Sequence, residues 1–189
     1  DGSGDYISVA DDATLDITDD ITLMAWVKPS AITANDILVG RHNGSEDNYY
    51  LKVRNSDNFF NFITVVGNSD KTSTSTTISV ANKWVHIAGT RIKSTGLQKI
   101  YINGVEEDSD IHSAGSSIDN DDVSFTIGAR EDGVDGYDFK GSMKNVAIWN
   151  RALSATEIQN VIYKTYTDLS GTLSSGLVSW WALEGDALD

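Results

Sequence analysis

Short runs of apolar and β-branched residues recur along the chain, and polar, glycine-rich segments separate them. This pattern is typical of strands in a protein with many short turns. One predicted strand is followed directly by Asn103-Gly104, a pair that favours a tight hairpin because both central residues of a type I′ turn need positive φ. The predicted strands are Tyr6–Val9, Ile21–Lys28, Ile37–Arg41, Tyr49–Arg54, Phe59–Val66, Trp84–Arg91, Gln98–Ile102, Ser124–Ala129 and Phe139–Trp149.

One segment near the C-terminus predicts a helix instead. Ser154 is followed three residues later by Glu157, the spacing of a capping box, and the helix is expected over Ser154–Lys164. Strands do not alternate with helical patterns as they do in a parallel α/β sheet. The sequence therefore predicts an all-β fold: a two-sheet antiparallel β-sandwich of the jelly-roll type with one short helix near the C-terminus.

Composition limits the classes to which this protein can belong. The 189 residues are 40% hydrophobic and include 5 Trp, 7 Tyr and 5 Phe, enough for the core of one domain. No stretch approaches the ~18 apolar residues of a membrane helix, so membrane insertion is not expected. The absence of cysteine excludes disulfides and thiolate chemistry but is compatible with an extracellular protein. Because the chain starts at Asp1 without a targeting signal, we expect it to be excised from a longer protein.

The negative charge of the chain argues against some partners, and the acidic segment that carries most of it has two interpretations. The net charge of −14 argues against nucleic acid and anionic membrane surfaces, which attract basic patches. The acidic excess is concentrated in Val105–Asp138, where eleven acidic residues accompany a single basic one, Arg130. Either this segment is a solvated flank that keeps the protein soluble, or its carboxylates bind a hard cation such as calcium.

Four segments of the chain have recognisable patterns: DGSGDYI at Asp1–Ile7, ITLMAWVKP at Ile21–Pro29, the pair WVHIA and IYING at Trp84–Ala88 and Ile100–Gly104, and FKGSMKNVAIWNRALSATEI at Phe139–Ile158. Together, and in this order, they resemble laminin G-like domains of the concanavalin A-like lectin/glucanase superfamily. That resemblance implies a jelly roll with one concave face in a family that consists mostly of binding modules with a minority of glycosidases.

The C-terminal segment resembles the strand with which such domains normally begin. We predict a laminin G-like sandwich over 1–166, a Ser/Thr/Gly-rich connector over 167–175, and a strand within 176–189. This strand either packs on the same sandwich or starts the next repeat of a tandem array. Because Trp180 and Trp181 would be costly to expose, we expect the strand to be packed in this molecule.

Catalytic signatures are weak in this sequence. Retaining glycosidases need two carboxylates about 5 Å apart, and the nearest candidate pair here is Glu106 with Asp108. Ile111 stands where the E-x-D-x-x-E pattern of laminarinase-type glycosidases has its second glutamate, and the string has no apolar alternation. The three histidines have no metal-ligand spacing. The prediction is that the protein is not an enzyme, with a diverged glycosidase as the least favoured alternative.

Calcium is the predicted cofactor. Asp132, Asp135 and Asp138 are spaced three residues apart with two intervening glycines, so the loop can offer several oxygens to a cation that takes 6–8 of them. The alternative is a solvated turn. The family resemblance implies a further calcium site with Asp1 and Asp5, although an amine and an amide, Lys144-Asn145, stand where the family pattern has two carboxylates.

A polar segment between two predicted strands, Arg41–Tyr49, offers groups suited to sugar hydroxyls. Tyr137 lies in a Gly/Asp loop, where its ring is expected either to stack on a sugar or to pack within the loop. A merely solvated hairpin loop is the alternative for the polar segment. The tryptophans and His86 are expected in the core. The candidate ligand-binding residues are Arg41, His42, Asp47, Asn48 and Tyr137.

These observations predict a non-catalytic glycan-binding or adhesion module, assisted by calcium, in a larger extracellular protein that is secreted, on a cell surface or on a virion. Its expected partners are a glycan or an extracellular protein, with neighbouring repeats of the same kind as a further possibility. The alternative function is a structural or protein-interaction repeat without a sugar site.

Overall fold

The computed structural model describes residues 5–31, 35–132 and 137–183. These residues form short strands joined by turns, with one α-helix and two 3-10 helices in the C-terminal part. The elements are β1 Ile7–Val9, β2 Ile21–Pro29, β3 Ile37–His42, β4 Asp47–Val53, β5 Phe59–Val65, β6 Asp70–Ile78, β7 Val85–Ile92, β8 Leu97–Ile102, β9 Val105–Ile111, β10 Phe125–Ile127, β11 Gly141–Trp149, α1 Ala155–Val161, the 3-10 helices Tyr166–Asp168 and Gly171–Leu173, and β12 Leu177–Trp181.

The strands pair into two antiparallel sheets of six. Sheet 1 has the order β1-β10-β3-β4-β5-β6, and sheet 2 has the order β12-β11-β2-β7-β8-β9. Many neighbours in space are distant in sequence, as expected for a jelly roll. The predicted all-β, two-sheet sandwich with one short helix is confirmed.

The main core lies between the two sheets and is built by alternation along each strand. On β4, Tyr49 and Leu51 enter this core, whereas Tyr50 belongs to a separate cluster on the opposite face of sheet 1. Gly89 of β7 lies beneath the ring of Phe62, where a Cβ atom would come within 2.1 Å of the ring. The absence of a side chain at Gly89 therefore lets the aromatic ring of sheet 1 approach sheet 2 closely.

Local signals in the sequence account for the β8–β9 hairpin and for helix α1. Asn103 and Gly104 have φ values of 51° and 79°, as the predicted type I′ turn requires. Ser154 caps α1 and forms the predicted capping box with Glu157. The helix ends earlier than predicted, at Val161, because the chain turns there and the carbonyl of Ile162 accepts the indole N–H of Trp26 at 2.8 Å.

Two strands, β6 and β9, were not predicted because neither has an apolar face. They form the adjacent edges of sheets 1 and 2, and carboxylates of β9 accept hydrogen bonds from backbone amides of β6. Glu107 accepts from Thr76 and Thr77 at 2.9 and 2.8 Å, and Asp108 accepts from Thr74 at 2.8 Å. Part of the acidic segment therefore closes one edge of the sandwich.

The C-terminal strand β12 pairs with β11 of the same molecule, with Trp181 opposite Val146 and Trp180 opposite Ala147. Trp181 packs against the main core, while Trp180 meets Trp149 edge to face at 6.2 Å on the outer side of sheet 2. Whether this strand closes a neighbouring domain in an array stays a prediction. Among the described residues, no helix is long and apolar enough to cross a membrane.

Candidate functional site

An aromatic cluster lies on the outer face of sheet 1, opposite the main core. Tyr50, Ile37 and Ile63 form its buried part, and Tyr137 packs against them. The imidazole of His42 stacks on the ring of Tyr50, with centroids 4.2 Å apart and an interplanar angle of 22°. We call these five residues the Tyr50 cluster. Two predicted site residues, His42 and Tyr137, are thus brought together by a tyrosine that the sequence analysis did not single out.

Strand β3 has a glycine, Gly40, at the position next to Tyr50. Gly40 has φ of +144°, and a Cβ atom at this position would lie 2.5 Å from the Cβ of Tyr50. A side chain there would strain the backbone and clash with the main chain of β4, since the carbonyl oxygen of Tyr49 would lie 2.2 Å from that Cβ atom. Gly40 pairs with Tyr50 across β3 and β4, and the absence of a side chain lets the main chains of the two strands approach closely at Tyr50.

Asp47 anchors the turn between β3 and β4 next to the Tyr50 cluster. Its carboxylate accepts hydrogen bonds from the backbone amides of Asn43 and Gly44 at 3.0 and 2.9 Å. The same carboxylate lies 2.6 Å from Nδ1 of His42. Burial alone would raise the pKa of Asp47, but the hydrogen bond and charge of His42, together with the two amides, lower it overall. Asp47 therefore remains a carboxylate that orients the His42 ring.

Charged groups of both signs border the cluster. Lys52 of β4 places Nζ 5.7 Å from the centroid of Tyr50, and Asp70 of β6 lies close enough to perturb both side chains. Burial, then the Asp70 and Asp47 carboxylates, raise the pKa of the Tyr50 phenol, which therefore stays neutral. Burial lowers the pKa of Lys52, and Asp70 opposes this change. The Tyr50 ring is therefore neutral, and the Lys52 ammonium and the Asp70 carboxylate lie beside it.

Arg130 covers the remaining aromatic member of the cluster. Its guanidinium lies 3.9 Å from the ring centroid of Tyr137, a cation–π arrangement, and it donates to both oxygens of Asp132 at 2.7 and 2.6 Å. The space for this guanidinium depends on Gly44, where a Cβ atom would lie 2.7 Å from it. Asp132, predicted as a calcium ligand, is therefore paired with an arginine beside Tyr137.

Arg41 and Asn48 hold the chain in place at one end of the sandwich. The predicted polar loop is shorter than expected, since His42 lies on β3 and Asp47 and Asn48 lie on β4. Buried Arg41 donates to the carbonyls of Val123 and Asp121 at 2.8 Å each. It also contacts the carboxylates of Asp11 and Asp16, and Asn48 exchanges two hydrogen bonds with the backbone of Asp121 at 3.1 Å. Their donors are directed at internal partners.

The predicted calcium ligands are not gathered into a site within the described residues. Asp1 and Asp135 lie outside those residues, Asp5 precedes β1, and Asp138 forms an isolated bridge with Ile37. No group of three or more carboxylates or histidines with metal-binding geometry occurs in the part of the chain that the structure describes. Arg130 engages both oxygens of Asp132, and residues 133–136 of this loop lie outside the described residues, so calcium at this loop stays a prediction.

The carboxylates considered for glycosidase chemistry have other partners. Glu106 forms an ion pair with Lys99 at 2.8 Å, and Asp108 caps the amide of Thr74 on the edge strand of sheet 1. His86 is fully buried, and burial lowers its pKa to about 3. Glu106 and Asp108 lie on the edge strand β9 of sheet 2, so neither belongs to the outer face of sheet 1 that carries the Tyr50 cluster.

Two residues of this region, Tyr50 and Arg130, were not predicted, for different reasons. Tyr50 follows Tyr49 on the same strand, and no local feature indicates which ring faces the main core. Arg130 offered a usable signal, because it is the one basic residue among eleven acidic residues in Val105–Asp138. A single cation in such a segment indicates a specific pairing, which the structure shows to be Asp132 and the ring of Tyr137.

Comparisons with known proteins agree on the fold. The laminin G family model, described as concanavalin A-like lectin/glucanases superfamily, matches residues 1–159. A presumptive carbohydrate-binding protein from Bacteroides ovatus is similar over 95% of this chain and 49% of its own, with 21% identity and a TM-score of 0.76. The chain thus spans about half the length of that protein. No curated protein sequence matches closely enough to be a relative.

Two further solved structures with the same fold are domains of secreted or bacterial carbohydrate-active proteins. The CBM40 domain of the Ruminococcus gnavus IT-sialidase, bound to α2,3-sialyllactose, is 18% identical over 83% of this chain and 95% of its own, with a TM-score of 0.65. Domain 4 of AbnA, an extracellular arabinanase from Geobacillus stearothermophilus, in complex with arabinotriose, is 21% identical over 82% of this chain and 71% of its own, with a TM-score of 0.63.

Proposed function

Because the chain belongs to the laminin G family of the concanavalin A-like lectin/glucanase superfamily, we propose that it is a non-catalytic carbohydrate-binding module. Its glycan site is the Tyr50 cluster with the charged groups that border it. The observation that carries this proposal is the convergence of Tyr50, His42 and Tyr137 on one face of sheet 1. Sugar sites combine an aromatic surface with a few fixed polar groups in this way.

The chemistry of the border suits a sugar with several hydroxyl groups. Lys52 supplies a donor and Asp70 an acceptor beside Tyr50, while Arg130, paired with Asp132, lies over the ring of half-buried Tyr137. The close approach of β3 and β4 at Gly40 and the turn anchored by Asp47 fix the Tyr50 cluster, so little side-chain freedom is lost when a ligand binds.

The fold neighbours support a binding role. Those from Bacteroides, Ruminococcus and Geobacillus are named for carbohydrate binding or were solved with an oligosaccharide. Since these likenesses are distant, they lend weight to the class of ligand and not to its identity. We further propose that the module acts outside the cell, as part of a longer adhesive or carbohydrate-active protein.

A glycan array tests this proposal directly. The wild-type domain should bind at least one neutral or acidic oligosaccharide, and Tyr137→Ala should weaken that binding by about tenfold or more. Tyr166→Ala is the matched control, because Tyr166 is 62% exposed in a 3-10 helix and lies outside the cluster. Circular dichroism should show the same fold for all three proteins.

Two outcomes would overturn the proposal. An array without any bound glycan, combined with end-to-end self-association, would favour a structural or protein-interaction repeat. Binding that survives Tyr137→Ala unchanged would move the site away from the Tyr50 cluster. The array is repeated with EDTA, because a loss of binding under chelation would bring calcium into the same function.

A further inference from the structure

A second aromatic surface lies on the outer face of sheet 2, on the opposite side of the sandwich from the Tyr50 cluster. Val27 and Val85 point into the main core, so their neighbours Trp26 and Trp84 project outward. Lys144 on the adjacent strand β11 places Nζ 5.0 Å from the ring centroid of Trp84 and 5.8 Å from that of Trp26. We call these three residues the Trp84 platform.

Trp84 was expected in the core, and that expectation is wrong. Helix α1 and the segment after it cover the part of this face around Met24, Ala88 and Trp149 but not the part around Trp84. The side chain of Trp84 is therefore 40% exposed. The exposed indole thus offers a flat apolar surface beside a cation.

Trp26 forms the fixed side of the platform. Its indole N–H donates to the carbonyl of Ile162 at 2.8 Å, and its ring meets the buried ring of His86 at 5.5 Å and that of Tyr163 at 6.3 Å. Lys144 lies directly opposite Trp26 in the antiparallel register of β11 and β2, just before the bulge in β11. Directly opposite residues project from the same face of a sheet, so Lys144 shares the outer face of sheet 2 with Trp26.

The charge around the platform is opposite to that of the protein. None of the ion pairs within the described residues involves Lys144, Lys28 or Lys83. Lys28 follows Trp26 by two residues and shares its face of β2, and Lys83 directly precedes Trp84. Lys144 therefore lies against the two indoles, and two further lysines outside these ion pairs stand next to them along the chain, in a protein with a net charge of −14.

We propose that the Trp84 platform is a second carbohydrate site, specific for a polyuronate, a polysaccharide with a carboxylate on each sugar. One sugar ring stacks its C–H face on the indole of Trp84, and its carboxylate pairs with the ammonium of Lys144. Lys28 and Lys83 meet the carboxylates of neighbouring sugars, which is why a chain with repeated charges fits better than a single acidic residue at a chain end. This site is independent of the Tyr50 cluster.

Isothermal titration with uronate oligosaccharides tests the inference. The panel contains oligomers of galacturonate, glucuronate and mannuronate, and the methyl ester of each serves as its uncharged counterpart. At least one free acid should bind more tightly than its ester, and the preference should weaken as salt increases because ion pairs at a surface are screened. Trp84→Ala should reduce binding of both forms by about tenfold, and Lys144→Gln should reduce binding of the free acid alone.

The controls separate this site from the one proposed on sheet 1. Tyr137→Ala should leave uronate binding unchanged, and Lys144→Arg should retain most of it. The inference is overturned if no uronate binds, if acid and ester bind equally, or if Tyr137→Ala abolishes the binding. Sedimentation adds a further test: a dimer that Trp84→Ala dissociates would make the platform an interface between copies of this chain.

Discussion

The indole of Trp181 stacks on the ring of Phe125, with centroids 5.0 Å apart and ring planes within 13° of parallel. Phe125 belongs to β10 in sheet 1 and Trp181 to β12 in sheet 2, so this contact crosses the main core. The C-terminal strand therefore does more than extend sheet 2 by hydrogen bonds. It supplies one of the large side chains that hold the two sheets together.

Trp181→Ala should lower the free energy of unfolding by about 2–3 kcal/mol, because it removes a half-buried aromatic side chain and leaves a cavity against Phe125. Trp84→Ala, at an exposed tryptophan, should cost about 1 kcal/mol or less. Urea denaturation measures both, and the midpoint should shift without a change in slope. Equal losses for the two variants would show that the stacked pair adds nothing to the core.

Arg41→Lys should destabilise the protein by about 3 kcal/mol or more. The lysine retains the charge but cannot reach two carboxylates and two carbonyls at once, so buried polar groups lose their partners. Arg54→Lys is the matched control, because Arg54 pairs with Asp57 at the surface and should change stability by about 1 kcal/mol or less. Similar effects in chemical denaturation would contradict a structural role for Arg41.

Stability should fall on mild acidification because of His86. Burial lowers its pKa to about 3 in the folded protein, against 6.5 for the free side chain. Between these values the unfolded chain binds a proton that the folded protein does not. Unfolding therefore becomes easier as pH falls below 6.5, by about 1.4 kcal/mol per pH unit well inside this window.

His86→Phe isolates this contribution, since phenylalanine does not titrate and has a similar size. Between pH 6.5 and 5 the wild type should lose about 2 kcal/mol more stability than the variant. Guanidinium unfolding at several pH values gives the difference. Parallel pH profiles for the two proteins would mean that His86 is protonated in the folded state.

Calcium is tested by thermal unfolding of the metal-stripped domain. If the loop over 132–138 binds calcium, a concentration 100-fold above the dissociation constant should stabilise the fold by about 2.7 kcal/mol, and Asp135→Ala should remove this gain. Arg130→Gln should strengthen the effect, because it releases both oxygens of Asp132. No shift in either the wild type or Arg130→Gln would leave these carboxylates as solubilising surface.

Strands with regular alternation were predictable to within one or two residues. The sequence placed β2 at Ile21–Lys28, and the structure extends it only to Pro29. Strand β6 was missed because its buried positions include Ser73 and Ser75, which give no apolar signal. Its position depends on pairing with β5, a relationship between distant segments that local patterns do not contain.

The site was predictable only in part, for a related reason. His42, Asp47 and Tyr137 stand in polar segments, where sequence reasoning looks for ligand contacts. Tyr50 stands in a strand whose two faces are both buried, and its outward direction follows from the fold alone. In the same way, helix α1 stops short of Trp84, and only the packed structure shows that this indole remains uncovered.

The carboxylates of β9 have a further effect on how copies of the domain behave at high density. An unpaired strand edge recruits strands from other molecules and leads to aggregation. Glu107 and Asp108 accept hydrogen bonds from the backbone amides of Thr74, Thr76 and Thr77, so these amides are not available to another strand. The two carboxylates also add negative charge where another chain would have to join. Crowded copies, such as those on a densely decorated surface, are thereby kept from joining into fibres along this edge.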